Sequence, residues 1–288
     1  MSVTLIAFGK RGYALSASNM VRSLRYYGYR GKINLHCDAS VLLALSLMAD
    51  GTLDESEVYD LPKDYVNGGP GWVKVNIPAI INDDATLVLD VDGVAVKDVT
   101  PLIDLLTSVP ERCYMAQAVE PYVVGESVKT QGHWWATPSR IIERESLPHG
   151  ARLYSVNSSA AWYCKGDRLT RFHAAMLEAW ARWARADLVH QWGRSMPDEL
   201  FAMIAAARCG EDIALPVQVV YFDRRNTTLQ GVADAAYVLP IYGSGRHNGT
   251  TNKHTRDLYD GAVRLMRGGV GDRYSTRYIM RDKYVDQR

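Results

Sequence analysis

Thr86-Leu87-Val88-Leu89-Asp90-Val91-Asp92 carries an apolar, partly β-branched run straight into two carboxylates set two residues apart. A short apolar run of this kind predicts a strand covered on both faces, with the acidic pair at its exit. On its N-terminal side, Trp72 to Ile81 predicts a helix carrying Pro78, and Glu57 to Leu61 a short strand. Further out, Val3 to Phe8 and Lys32 to Cys37 read as strands and Val41 to Met48 as a helix. After the first strand, Gly9-Lys-Arg-Gly12 makes a turn, and Ala17, Met20, Val21, Leu24 and Tyr27 then recur at helical spacing until Gly28 stops the pattern. This alternation predicts an α/β fold: a single Rossmann-like, mixed and mostly parallel sheet flanked by helices. Such sheets bind ligands beyond the carboxyl ends of their strands, which is where Gly9 to Tyr13, Asp38 and Asp90 to Asp92 fall.

The second half is less regular. Leu153 to Val156 and Ala160 to Cys164 predict strands around Asn157-Ser-Ser159. A long helix is expected from Asp167 to about Leu188, with Leu169, Phe172, Met176, Trp180 and Trp183 as its core stripe. A further helix follows Pro197, with Asp198 and Glu199 in its first turn, where carboxylates suit the helix dipole. Pro216 to Phe222 and Ala236 to Ile241 read as strands and Lys253 to Met266 as a helix. With no internal repeat and no low-complexity linker, residues 1–267 are expected to form a single domain, followed by a basic, Tyr-containing tail over 268–288.

The 288 residues are 47% hydrophobic and 23% charged, and 33 Lys plus Arg nearly cancel 32 Asp plus Glu, so neither a disordered chain nor a wholesale polyanion binder is implied. The longest apolar runs fall short of the roughly 20 residues of a membrane helix. The N-terminus reads as a first strand, not as a signal peptide, and a cytoplasmic location is expected. Cys37, Cys113, Cys164 and Cys209 are widely spaced and sit in or beside apolar segments, which suits small buried thiols better than zinc or a disulfide frame.

Two carboxylates at a strand exit can converge on one hard divalent cation, although the same triplet is also a common turn. The context is more specific. The stretch from Lys74 through Asp90-Val-Asp92 to Pro101-Leu-Ile103 resembles the donor-site segment of glycogenin-like, family 8 glycosyltransferases, which have the type A glycosyltransferase fold. An early helix Lys precedes the family's D-x-D as Lys74 precedes Asp90, by sixteen residues, and Tyr13 precedes Ser23 and Leu24 by the family's ten and eleven. The family's F-N-S-G resembles Val156-Asn-Ser-Ser159, its D-Q resembles Asp198-Glu199, and the likeness extends over roughly residues 3 to 250.

The resemblance implies transfer of a hexose from a nucleotide sugar, UDP-glucose or UDP-galactose, to a hydroxyl acceptor with retention of configuration, assisted by Mn²⁺ or Mg²⁺. It implies that Asp90 and Asp92 hold the ion, that Tyr13 stacks on the base while Phe8 offers backbone contacts to it, and that Lys74 flanks the diphosphate. Asn157 is implied to hydrogen-bond the donor sugar or acceptor, and Asp198 to face the anomeric carbon. On residue chemistry alone, Asn157 equally suits a turn and Asp198 a helix-dipole charge. The family's closing H-F-x-G-x-x-K segment best matches Pro240-Ile-Tyr-Gly-Ser-Gly-Arg246. Gly243 fits the Gly and Arg246 replaces the Lys at the diphosphate, but Pro240 occupies the position of the ligand His. His247 is then the candidate third ligand, from a shifted loop.

From Arg264 to Arg288, seven Lys or Arg meet three Asp, interleaved with Tyr274, Tyr278 and Tyr284. Cations alternating with aromatics suit phosphates and unstacked bases, so a hydroxymethylated base in DNA is one acceptor class the tail admits; a solvated terminus is the plain alternative. Trp134-Trp135 after His133 is either a sugar-stacking platform or core. Two other functions compete: a catalytically inactive nucleic-acid-binding protein on the same scaffold, and a nucleotidyltransferase, which would release pyrophosphate.

Overall fold

The structure, a computed structural model, describes residues 1–9, 11–109, 114–126, 135–189, 195–221, 227–240 and 253–267. In chain order its elements are β1 (Ser2–Ala7), α1 (Gly12–Tyr26), β2 (Lys32–Cys37), α2 (Ala39–Met48), β3 (Glu57–Asp60), α3 (Lys63–Gly68), α4 (Pro70–Val75), α5 (Ile77–Ile80), β4 (Ala85–Asp90), β5 (Gly93–Ala95) and α6 (Thr100–Thr107). There follow β6 (Tyr114–Ala118), β7 (Tyr122–Val123), α7 (Pro138–Glu145), β8 (Arg152–Leu153), β9 (Val156–Cys164), α8 (Asp167–Arg182), α9 (Asp198–Cys209), α10 (Leu229–Ala235), β10 (Val238–Pro240) and α11 (Lys253–Met266). The central sheet has six strands in the order β3-β2-β1-β4-β9-β6. β1, β2 and β3 run parallel, and β9 and β6 antiparallel, which is the mixed, mostly parallel sheet flanked by helices that the strand-helix alternation predicts. Among the described residues no helix is long and apolar enough to cross a membrane.

The chain divides into two compact units, one of Met1–Leu61, Leu89–Leu105 and Val217–Arg288, the other of Pro62–Val88 and Leu106–Pro216. In the first, Val3, Leu5 and Ala7 share a sheet face with Ile33, Leu35 and Cys37, all buried, while the opposite face buries Ser2, Thr4, Asn34 and His36. Strands covered on both faces read as continuous apolar runs only when both faces are apolar; here one face is polar, and on it Asn34 Nδ2 donates to Ser2 Oγ at 3.1 Å. The short β5 pairs antiparallel with β10 and lies against α1 and α11. There Leu15, Val94, Tyr259, Ala262 and Val263 belong to one buried cluster.

In the second unit, α8 turns Leu169, Phe172 and Met176 into the core as its spacing predicts, each burial being worth about 1.5–3 kcal/mol. Trp72, Trp180 and Phe201 pack in succession as tilted ring pairs with centroids 5.1 and 4.7 Å apart, joining α4, α8 and α9. The close approach of α4 to the chain entering α9 requires Gly71: a Cβ there would lie 3.0 Å from Ser195 Oγ and inside the van der Waals shell of the Met196 carbonyl oxygen. Glu145 is buried and its carboxylate accepts from Trp183 Nε1 at 2.7 Å and pairs with Arg182 and Arg208 at 3.1 and 3.0 Å.

Several expected elements take another form. Trp72 to Ile81 is not one helix: Pro78 cannot supply an N–H to the ladder, and the chain breaks at Asn76 into α4 and α5. Of the two strands expected around Asn157-Ser-Ser159, the first divides, Leu153 falling in the short β8, while Val156 joins Ala160 to Cys164 in one nine-residue strand, β9, whose pairing to β6 jumps between Ala116 and Gln117, so the turn-forming residues make a bulge. The long helix ends at Arg182 and gives way to a 3₁₀ turn at Arg185–Asp187. Of the strand expected over Pro216 to Phe222, the described residues form a single bridge, Val220 to Val238, and of that expected over Ala236 to Ile241 the described residues form β10. Cys37 is buried and free, whereas Cys164 and Cys209 are free but only half-buried; Cys113 lies outside the described residues.

Candidate active site

In the first unit the strand exits carry the polar groups. Gly9, which ends β1 with φ +88° where a side chain is disfavoured, donates its N–H to Asp38 Oδ2 at 2.7 Å. Asp38 Oδ1 accepts from Val41 N at 3.0 Å and caps α2. Phe8 and Tyr13, at the end of β1 and in the first turn of α1, are both half-buried. Cys37 beside them is not a nucleophile: burial, with Asp38 and Asp60 nearby, pushes its thiol up to about 11.

Asp90 is the last residue of β4 and Asp92 lies in the turn before β5. Both keep partial exposure while Leu89 and Val91 are buried, the alternation expected of an extended chain whose one side faces the core. Ser23, whose spacing to Tyr13 matches the family pattern, fixes the far side of this turn: it is buried, and its Oγ accepts the Ala95 N–H at 2.8 Å while donating to Met20 O at 2.8 Å. The family-matched serine of α1 thereby holds the strand that follows the acidic pair. The phenol of Tyr259, fully buried on α11, accepts from Asn19 Nδ2 at 3.2 Å and titrates above its ordinary value through burial, to which the charge of Asp92 adds.

In the second unit, Lys74 on α4 donates to Ser158 Oγ at 3.3 Å. Ser158 sits in the β9 bulge, whose shape Asn157 sets by accepting the Ser159 N–H on its Oδ1 at 2.9 Å. Asp198 opens α9 and is 7% exposed, and the neighbouring Glu199 accepts the Trp135 indole N–H at 2.8 Å. Because α9 packs on both α4 and β9, this unit gathers Lys74, Asn157 and Asp198 onto mutually packed elements. Ser158 as the partner of Lys74, and the Trp135–Glu199 pair, do not emerge from motif spacing, since each contact joins residues far apart in sequence.

Two carboxylates are hard oxygen donors suited to Mn²⁺ or Mg²⁺, and both keep partial exposure. Among the described residues no group of three His, Cys, Asp or Glu is placed to hold a metal, so this donor set is the Asp90–Asp92 pair. Gly243, Arg246 and His247 lie outside the described residues.

The architecture is that of the type A glycosyltransferases. The chain is similar to the galactosyltransferase LgtC, solved in complex with donor and acceptor sugar analogs, at a TM-score of 0.58 and 13% identity over 96% of this chain and 99% of that one. It is also similar to the bifunctional glycosyltransferase WbbM in its apo form, with a TM-score of 0.58 and 9% identity, covering 93% of this chain and 51% of that one. No family model and no curated protein sequence matches the chain.

Proposed function

We propose that the protein is a nucleotide-sugar glycosyltransferase, moving a hexose from UDP-glucose or UDP-galactose to an acceptor hydroxyl with retention of configuration. The observation that carries this reading is a pair of partly exposed carboxylates at the exit of β4 in a type A glycosyltransferase fold. In the reaction the bond between the anomeric carbon and the diphosphate oxygen breaks, its electron pair leaving with UDP. A bond from the acceptor oxygen to that carbon forms, and the acceptor proton passes to the departing phosphate. Charge grows on the leaving group, so fixed cations stabilise the departure. Lys74 supplies one and Arg246 another, with Gly243 at the position of the family's glycine. Asp90 and Asp92, with His247 as third ligand, would hold a divalent ion that neutralises the diphosphate. Tyr13 stacks on the uracil beside the backbone of Phe8. Asn157 and Asp198 address the sugar, Asp198 facing the developing positive charge at the anomeric carbon.

Release of UDP from a panel of UDP-sugars, with and without Mn²⁺, tests the reading. UDP release lost in Asp92→Asn, and UDP binding lost in Tyr13→Ala, support it. Pyrophosphate release, or salt-sensitive nucleic-acid binding indifferent to Asp90 and Asp92, would replace it by one of the two competing functions.

A further inference from the structure

We infer that Asp38 is a positioning residue for a nucleobase subsite at the exit of β1, and that it selects uracil over cytosine by fixing which way the Phe8–Gly9 peptide faces. The inference rests on the proposed nucleotide-sugar reading and adds to it the group that sets which base edge is read. β1 and β2 pair in parallel up to Ala7 and Cys37, so Phe8 and Asp38 leave the sheet side by side. One step on, Asp38 Oδ2 accepts the Gly9 N–H at 2.7 Å, an added rung in which a side-chain carboxylate stands where a β2 carbonyl would. The bond has the short length that a charged acceptor gives. A trans peptide is planar, with its N–H and C=O pointing in opposite directions, and among the described residues no peptide bond is cis. The Gly9 N–H turned towards β2 therefore turns the Phe8 carbonyl the other way, to the side of β1 on which β4 lies.

Parallel sheets take their ligands beyond the carboxyl ends of the strands, and this exit is open to one. Gly9 is exposed, and a Cβ there would meet no atom within 4 Å, so the glycine serves the φ of +88° and not a close neighbour. Tyr13, half-buried in the first turn of α1, adds an aromatic ring for a flat ligand. A backbone carbonyl only accepts, so it suits the N3–H of uracil and repels the lone pair on N3 of cytosine. The competing state is the flipped peptide, which glycine permits because it tolerates either sign of φ, and which would present the Gly9 N–H to the base and reverse the preference. Asp38 opposes the flip with both oxygens engaged. Oδ2 holds Gly9, while Oδ1 accepts from Val41 N at 3.0 Å and from Ser40 Oγ at 2.8 Å. Asparagine has a single acceptor oxygen and cannot serve both sites; with that oxygen on the α2 cap, its NH₂ meets the Gly9 N–H donor to donor. Serine also caps helices well with one oxygen. Both substitutions therefore keep α2 and release the peptide.

Calorimetric titration of the full chain with UDP and with CDP, both with Mn²⁺ present, tests this in wild type, Asp38→Asn and Asp38→Ser, alongside hydrogen exchange read by mass spectrometry without nucleotide. Wild type is expected to bind UDP about tenfold more tightly than CDP, the worth of one well-made hydrogen bond. In both variants the UDP-to-CDP ratio is expected to fall by about tenfold, towards unity. Exchange is expected to rise by on the order of tenfold in the peptide that contains Gly9, with α2 unchanged. A group that only capped α2 would weaken both nucleotides alike or raise exchange in α2, and either result overturns the inference, as does a wild type that does not distinguish the two bases. A preference for UDP that survives both substitutions overturns the inference alone and leaves the proposed function standing. A wild type that binds neither nucleotide overturns the proposed function, and the base role of Asp38 falls with it.

Discussion

Gly71→Ala is the substitution in which local sterics and the proposed chemistry are most directly coupled. The new Cβ would lie 2.9 Å from the Met196 carbonyl carbon and 3.0 Å from Ser195 Oγ, with the Met196 oxygen closer still. Ordinary contacts sit at about 3.5–4.0 Å, so α4 and the chain entering α9 must part. Overpacking against backbone, which cannot rotate aside, costs about 1–3 kcal/mol. The separation also stretches the Gly71 N–H to Ser195 Oγ bond, now 3.0 Å and buried, for about another 1 kcal/mol. Against this stands a gain of about 0.5–1 kcal/mol from replacing a helical glycine. The net expectation is a loss of about 1–3.5 kcal/mol, read as the shift of a urea unfolding midpoint. Lys74 lies one turn further along α4 and its bond to Ser158 is already 3.3 Å, so the same displacement takes the ammonium out of reach. UDP affinity is then expected to fall together with stability. The control is Gly261→Ala in α11, where the nearest atom, Leu229 Cδ1, is 3.8 Å from the new Cβ, and where stability is expected to rise. An unchanged midpoint in Gly71→Ala would refute the packing argument, and a destabilised variant with wild-type UDP affinity would refute the link to Lys74.

Three further outcomes are expected. Burial lowers His36 to about 4, and its ring stacks on Tyr59 with centroids 5.1 Å apart. Because the folded value lies below the ordinary 6.5, its contribution is present above pH 6.5 and is lost as pH falls towards 4, by on the order of 3 kcal/mol; His36→Phe, followed by denaturant titration at several pH values, is expected to flatten that acid limb. Glu145→Gln leaves Arg182 unneutralised and Arg208 paired with Glu178 alone, and since the two arginines keep 40% and 25% of their side-chain exposure the loss is about 2 kcal/mol, short of the cost of breaking a fully buried pair, as thermal unfolding would measure. Asp38→Ala removes both the α2 cap and the acceptor of the Gly9 N–H, for about 1–2 kcal/mol in the same assay, whereas Asp38→Asn is expected to retain most of the cap.

What could be read in advance follows the range of the interactions. Within the first hundred residues β1, β2 and β4 were legible as short runs rich in apolar or β-branched residues and α1 by its apolar residues at helical spacing, although its burial runs unbroken from Ala14 to Val21; the helix over Trp72 to Ile81 was not, because Pro78 interrupts it. The β9 bulge was misread because Asn157-Ser-Ser159 has turn chemistry, and only the partner strand β6, some forty residues earlier, makes it part of a continuous ladder. The same distinction divides the candidate site. Asp90 and Asp92 stand out because both belong to one strand exit. Lys74 with Ser158, Trp135 with Glu199 and Asn19 with Tyr259 are separated by 84, 64 and 240 residues, and no periodicity or motif spacing encodes such meetings. Asn19 offered a local hint, a polar side chain beside the apolar stripe of α1, but its partners come from the far end of the chain. Ser23 shows how a spacing can carry information across that gap. Its interval from Tyr13 is set along one helix, and its hydroxyl ties that helix to Ala95, three residues past Asp92. The spacing of Ser23 from Tyr13 therefore coincides with a physical linkage between the first helix and the strand that follows the acidic turn.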